Sequence, residues 1–262
     1  VTNNPYFIDE PAVISFSGGR SSAFMLYKIL EAHEFVLPDY LKVIFCNTGK
    51  EMPQTLDFVN DCAVNWGVEI IWLEYCGKKA FRVVDNKTAS RNGEPFAQLI
   101  KDRQFLPNMM ARFCTSELKV LTIERYMDCD FATVVGIRAD EPRRVAKMRG
   151  KDSYFVPLAD AKVTENQIDR FWQHQYFDLA MPHASVNTLS NCDLCFLKGF
   201  KIKQSIVEHN PNLADWWIEQ EEFMGAVFRG DQPSYSKMKL IASDQGQLFD
   251  FDDESTACFC GD

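Results

Sequence analysis

Ala12-Val13-Ile14-Ser15-Phe16-Ser17-Gly18-Gly19-Arg20-Ser21-Ser22 passes from an apolar run through two glycines into a helical pattern. Its first five residues form an apolar run of the kind that fills a buried strand. A glycine pair bracketed by serines follows at once. From about Ser22 to Ala32 a helical pattern takes over, with Ala23, Leu26, Tyr27 and Leu30 on one face. A strand that turns through glycines into a helix aims backbone N–H groups and the positive helix end at one point, which suits an anion. Ser17, Ser21 and Ser22 add hydroxyls there, and Arg20 adds charge.

Working outward, the alternation continues. Lys42–Cys46 reads as a second strand, running into Asn47-Thr48-Gly49. Pro53 suits the first turn of a helix that carries Leu56, Val59 and Ala63 inward. Glu69–Leu73 is a third strand. Between Gly77 and Met110 the pattern weakens to mixed loop and short helix. A helix follows Cys114, with Thr115 as its cap and Leu118, Leu121 and Ile123 among its apolar positions. Ala132–Gly136 is a fourth strand. Strands alternating with helices predict right-handed βαβ units and a parallel sheet, with ligands at the strands' C-terminal ends. The glycine loop, the Asn47 turn and a loop around Arg138 all fall at such ends.

Beyond Tyr154 the character changes. Thr164-Glu165-Asn166-Gln167 has the pattern of a capping box opening a short aromatic helix with Ile168, Phe171 and Trp172. Helical stretches follow around Ile202–His209 and Leu213–Phe223, and then an acidic tail ending in Cys258-Phe259-Cys260. The reading is therefore an α/β domain over residues 1–160 and a helical, cysteine-containing region over 161–262. A chain of 262 residues has room for that arrangement.

Net charge is −9, which argues against global attraction to nucleic acid or an anionic membrane. Arg138, Arg143, Arg144, Lys147 and Arg149 nevertheless cluster, as either a solvated loop or a local anion site. No apolar run approaches the length of a bilayer span. The opening Val1–Pro5 has neither a basic region nor an apolar stretch, so a reducing, cytoplasmic setting is expected.

In that setting nine cysteines are not read as a disulfide framework. Cys46, Cys62, Cys76 and Cys129 lie in or beside apolar segments and read as small buried hydrophobes. Cys114, Cys192, Cys195, Cys258 and Cys260 sit in polar, turn-like settings and are the candidates for chemistry. Cys192-Asp193-Leu194-Cys195 alone suits a zinc half-site, an iron–sulfur half-site or a redox pair. The four histidines have no ligand spacing, and Trp216-Trp217 reads as packing.

Four segments together carry a family resemblance. Ser17-Gly18-Gly19-Arg20-Ser21-Ser22 is similar to the PP-loop, usually Ser-Gly-Gly-x-Asp-Ser, of the adenine-nucleotide α-hydrolase superfamily. Asn47-Thr48-Gly49-Lys50-Glu51-Met52-Pro53-Gln54-Thr55 resembles the Asp-Thr-Gly-x-x-Phe-Pro-Glu-Thr segment of the branch containing phosphoadenosine-phosphosulfate reductases. Arg112-Phe113-Cys114-Thr115 followed by Lys119 resembles that branch's Cys-x-x-x-x-Lys helix opening, and Gly136 to Arg144 its arginine loop. Arg20-Ser21 stands where the pattern has x-Asp, and Asn47 where it has Asp.

The resemblance implies a Rossmann-like PP-loop fold that binds ATP, or a sulfonucleotide, with Mg2+. Ser17, Gly18, Gly19, Arg20, Ser21 and Ser22 would hold phosphate, and Asn47, Thr48 and Gly136 would line the nucleotide. Arg112, Lys119, Arg138 and Arg144 would surround the reacting group. The distance from Cys114 to Cys192 is similar to that between cluster ligands in iron–sulfur adenylylsulfate reductases. It implies a 4Fe-4S cluster on Cys114, Cys192, Cys195 and either Cys258 or Cys260. Zinc on Cys192, Cys195, Cys258 and Cys260 is the alternative.

Three functions stay open at this point. The first is ATP-dependent adenylation of an acceptor, such as a nucleic acid or nucleoside, followed by sulfur transfer from a thiol or sulfur donor. The second is a sulfonucleotide reductase releasing sulfite. The third is a non-catalytic nucleotide-binding partner subunit with structural zinc. A homodimer is compatible with each.

Overall fold

The computed structural model describes residues 4–181 and 192–243. Its centre is a six-stranded sheet in the order β4-β3-β2-β1-β5-β6. The strands are β1 (Ala12–Ser15), β2 (Leu41–Cys46), β3 (Ile70–Gly77), β4 (Ala80–Val84), β5 (Ala132–Val135) and β6 (Tyr154–Phe155). All neighbours run parallel except β3 and β4. The order runs outward from β1 in both directions. The crevice between the C-terminal ends of β1 and β5 is therefore the switch point where doubly wound sheets bind ligands.

Helices cover both faces. α1 (Arg20–Ala32) and α2 (Pro53–Trp66) press Met25, Leu26, Ile29, Leu56 and Val59 onto one face of the sheet. On the other face Val13, Ile44, Ile71 and Leu73 pack with Ile123. Pro53 does open α2, where its missing N–H costs no hydrogen bond.

Two strands lay outside the sequence reading. β4 is an exposed edge strand in a region read as loop and short helix, and β6 has only two residues. The helix after Cys114 also differs from expectation. It begins at Phe113 with Arg112 in the cap position, so Thr115 is inside it, not its cap. The first turn, α4 (Phe113–Thr115), passes into a π-helical turn, Ser116–Val120, and then into α5 (Leu121–Met127). The Thr122 hydroxyl donates to the Glu117 carbonyl at 2.8 Å across that widened turn. Cys76 and Cys129 are exposed, contrary to expectation, because each falls at the end of an apolar segment and not within it.

The remaining helices are α3 (Glu94–Arg103), α6 (Pro142–Arg149), α7 (Pro157–Asp160), α8 (Glu165–Gln173), α9 (Phe200–His209), α10 (Leu213–Met224) and α11 (Tyr235–Ser243). α8 opens with the capping box read from Thr164 and Gln167. Its Ile168 and Trp172 sit in the same core as α1 and α2. Conversely, Phe96, Leu99 and Ile100 of α3 join the core built by α9, α10 and α11. Residues on both sides of position 160 thus contribute to each of these cores. No described helix is long and apolar enough to cross a membrane.

Candidate functional site

The glycine loop from Ser17 to Ser22, between β1 and α1, lies at the switch point. Gly18 has φ +76°, and a Cβ there would come within 2.6 Å of Thr55 Cγ2, so only glycine fits. Gly19 precedes α1 with no side-chain cap, leaving the first N–H groups of a 13-residue helix facing the crevice. The Ser22 hydroxyl donates to the Gly19 carbonyl at 2.9 Å and accepts from Ser17 N at 3.2 Å, which closes the loop on itself. Gly136, just past β5, lies against the same helix start. A Cβ on it would approach Ser22 Cα to 3.0 Å.

Arg138 completes this edge. Its guanidinium donates to the Ser21 hydroxyl at 3.4 Å and to Asp140 at 2.9 Å. Burial pulls its pKa down, but Glu141, Asp140 and Glu165 outweigh that and leave it raised, so it is a permanent cation at the loop. Glu141 also accepts from Arg144 at 2.6 Å, which fixes the second arginine beside the first. Arg20 goes elsewhere. It forms a two-bond ion pair with Asp178 and a longer contact to Asp169, and its carbonyl accepts from Trp172 Nε1 at 3.2 Å. Its side chain straps α8 and the segment that follows it to the loop instead of adding free charge there.

Beside the loop, a cleft with about 60 Å³ of free space is lined by Phe16, Ser17, Ile44, Cys46, Lys119 and Tyr154 among others. Lys119 enters it from the π-helical turn, a feature that recurs at functional sites. Burial pushes the Cys46 thiol up to about 12, with Lys119 opposing the shift. The Glu51 carboxyl is also raised by burial and opposed by Lys119.

Asn47 is fully buried and its amide is spent internally. It donates to Glu74 at 2.6 Å and to the Ser90 carbonyl at 2.8 Å, and accepts from Gly49 N at 3.1 Å. It shapes the turn from within and does not present its side chain to the crevice. Thr48 is different. Its hydroxyl donates to Glu51 at 2.9 Å and lies 3.5 Å from the Cys192 sulfur.

That contact brings the cysteine turn to the C-terminal end of β2. Glu51 and Cys192 form an antiparallel bridge, and Asp193 N donates to the Lys50 carbonyl at 2.7 Å. Cys192, Cys195 and the half-buried Cys114 all belong to the second core. Lys198 Nζ donates to the carbonyls of Cys192 and Asp193, both at 2.9 Å. Next to Cys195, burial lowers the Lys203 ammonium to about 8. Two buried thiols among lysines are the chemistry expected of thiolate donors. Among the described residues, though, no group of three or more metal-binding side chains converges. Cys258 and Cys260 lie outside the described residues. Where Arg112 is concerned, the structure places it half-buried at the opening of α4.

Sequence reading missed Lys50, Glu51, Glu74, Asp193 and Lys203, all buried. Charged letters ordinarily mean surface, so nothing in the pattern marked them. Only the position of Asp193 between two cysteines offered a signal.

The chain is similar to known proteins. An uncharacterized nin region protein of Escherichia phage lambda is 31% identical over 200 residues, which are 71% of this chain and 66% of that protein. An uncharacterized protein of Methanocaldococcus jannaschii is 28% identical over 147 residues, 54% of this chain and 26% of that protein. The chain thus spans just under two thirds of the first relative and about a quarter of the second. Among solved structures, a U34-tRNA thiolase from Methanococcus maripaludis with its 4Fe-4S cluster aligns at a TM-score of 0.40 and 12% identity, over 97% of this chain and 80% of that one. The model of the phosphoadenosine phosphosulfate reductase domain matches residues 11–153, from the start of β1 to the start of β6, and the chain belongs to that family.

Proposed function

We propose that the chain is an ATP-using PP-loop enzyme of sulfur metabolism. The observation that supports this reading is the contact of Thr48 with Cys192, which sets a cysteine pair against the turn that follows β2. In this reading the phosphates lie on the N–H groups at the start of α1, with the Arg138 guanidinium over them. The base rests in the cleft against Phe16 and Tyr154, and Mg2+ accompanies the triphosphate.

An acceptor oxygen attacks the α-phosphorus, its bond to the bridging oxygen breaks, and pyrophosphate leaves. Sulfide from a donor then attacks the acceptor carbon, the C–O bond breaks, and AMP departs with the acceptor oxygen. No net oxidation occurs. Arg138, Arg144, Lys119 and Arg112 stabilise the negative charge that builds on the phosphorus oxygens. Cys114, Cys192 and Cys195, with Cys258 or Cys260, would hold a 4Fe-4S cluster, which when bound supplies an iron site for sulfur. Zinc on Cys192, Cys195, Cys258 and Cys260 would instead be structural.

Three measurements on the anaerobically purified protein test this: iron and zinc content, ATP affinity against phosphoadenosine phosphosulfate, and pyrophosphate release from ATP with sulfide and total RNA. Bound iron, tighter ATP binding and pyrophosphate release are expected. Sulfite release from the sulfonucleotide without pyrophosphate release from ATP would make it a reductase instead.

A further inference from the structure

Lys50 and Asp193 form an ion pair at 2.8 Å with side chains only 7% and 4% exposed. Lys50 Nζ also lies over the Trp216 ring, 5.2 Å from its centroid. Asp193 accepts from Trp217 Nε1 at 2.8 Å and from Leu194 N at 2.6 Å. One carboxylate, placed between two cysteines, is therefore held by a lysine of the β2–α2 segment, an indole of α10 and its own turn.

A buried ion pair is a poor way to gain stability, because apolar residues of similar volume serve as well or better. What it provides is orientation. A shift of the turn by one residue would separate the two buried charges, which is strongly unfavourable. We infer that Lys50 and Asp193 are positioning residues that fix the Cys192–Cys195 turn against Thr48, and so set the Cys192 thiol at the nucleotide edge. This rests on the reading that the cysteine turn serves the nucleotide site. It assigns work to two positions outside the phosphate loop, the arginine loop and the cysteines.

The test uses the full chain as purified. Alkylation of each cysteine by iodoacetamide is followed by mass spectrometry, with ATP affinity measured in parallel. Lys50→Met with Asp193→Asn removes both charges and keeps an acceptor for Trp217. In that folded double variant Cys192 should react at least about tenfold faster than in the wild type, as the turn opens locally. ATP affinity should stay within about threefold. Lys50→Arg, which keeps the charge, should restore slow alkylation. Should the double variant not fold, Lys50→Met alone is read, since Asp193 there keeps its Trp217 and Leu194 donors.

Unchanged Cys192 alkylation in either folded variant would overturn the inference. So would a Lys50→Arg protein that reacts like Lys50→Met. If the proposed reaction is wrong, pyrophosphate release and iron content fail while this alkylation contrast remains.

Discussion

Asn47 donates a hydrogen bond to Glu74 across 2.6 Å, and both side chains are completely buried. Glu74 further accepts from Ser90 N at 2.6 Å and from Arg82 Nε at 2.8 Å. This accounts for the asparagine where the family pattern has aspartate. An aspartate at position 47 would face Glu74 with a second carboxylate and lose the donor.

Asn47→Asp should therefore destabilise the fold by about 2–3 kcal/mol, the cost of a lost hydrogen bond to a charged group with like charges left in contact. Urea unfolding at neutral pH measures it. An unchanged midpoint would mean that Glu74 is satisfied without Asn47.

Gly18 should tolerate no side chain. At φ +76° with Thr55 Cγ2 2.6 Å from a built Cβ, Gly18→Ala combines backbone strain with overpacking. About 2–4 kcal/mol is expected from the two together, with weaker ATP binding because the loop must shift. Thermal unfolding and calorimetry with ATP check both parts.

Arg20 and Arg138 should separate in their effects. Arg20→Ala removes a partly exposed ion pair to Asp178, so its stability effect should stay within about 1 kcal/mol. Its effect on ATP affinity should be under about threefold, since its guanidinium is spent on Asp178, beyond the end of α8, and on Asp169 within it. A large loss of affinity in Arg20→Ala would show that the arginine turns to the phosphates when nucleotide binds.

Acid should loosen the N-terminal segment first. His33 Nε2 accepts from Ile8 N at 3.2 Å, and the ring stacks on Phe7 at 4.8 Å. Burial lowers its pKa below 6.5, so the folded state prefers the neutral ring. The stability it contributes is fully present above 6.5 and is lost as pH falls through the lower folded value. Hydrogen exchange at Ile8 should speed up across that window and become pH-independent, apart from the intrinsic rate, in His33→Gln.

Much of this fold could be read before the structure was known, for a physical reason. β1, β2, β3 and β5 are buried on both faces and so carry near-continuous apolar runs. The Thr164–Gln167 box and Pro53 announce helix starts through local hydrogen bonding alone. β4 escaped because an exposed edge strand has no such run. The π-helical turn escaped because a wider turn leaves no mark at a 3.6-residue period. That the glycine loop, Gly136 and Arg138 would meet was legible because all three follow strand ends of one parallel sheet. The destinations of Arg20 and Asn47 depended on Asp178 and Glu74, which are distant in sequence. The Lys50–Asp193 pair is the same case, set by two segments that meet only in the fold.

In the proposed function the loop from Ser17 to Ser22, completed by Arg138, binds an adenine nucleotide. Calorimetric titration of ATP into the wild type and Arg138→Ala tests it most directly. Saturable one-to-one binding that weakens by about tenfold or more in the variant is the result expected for a lost charge-assisted contact. No binding to the wild type, or equal affinity in both proteins, would contradict it.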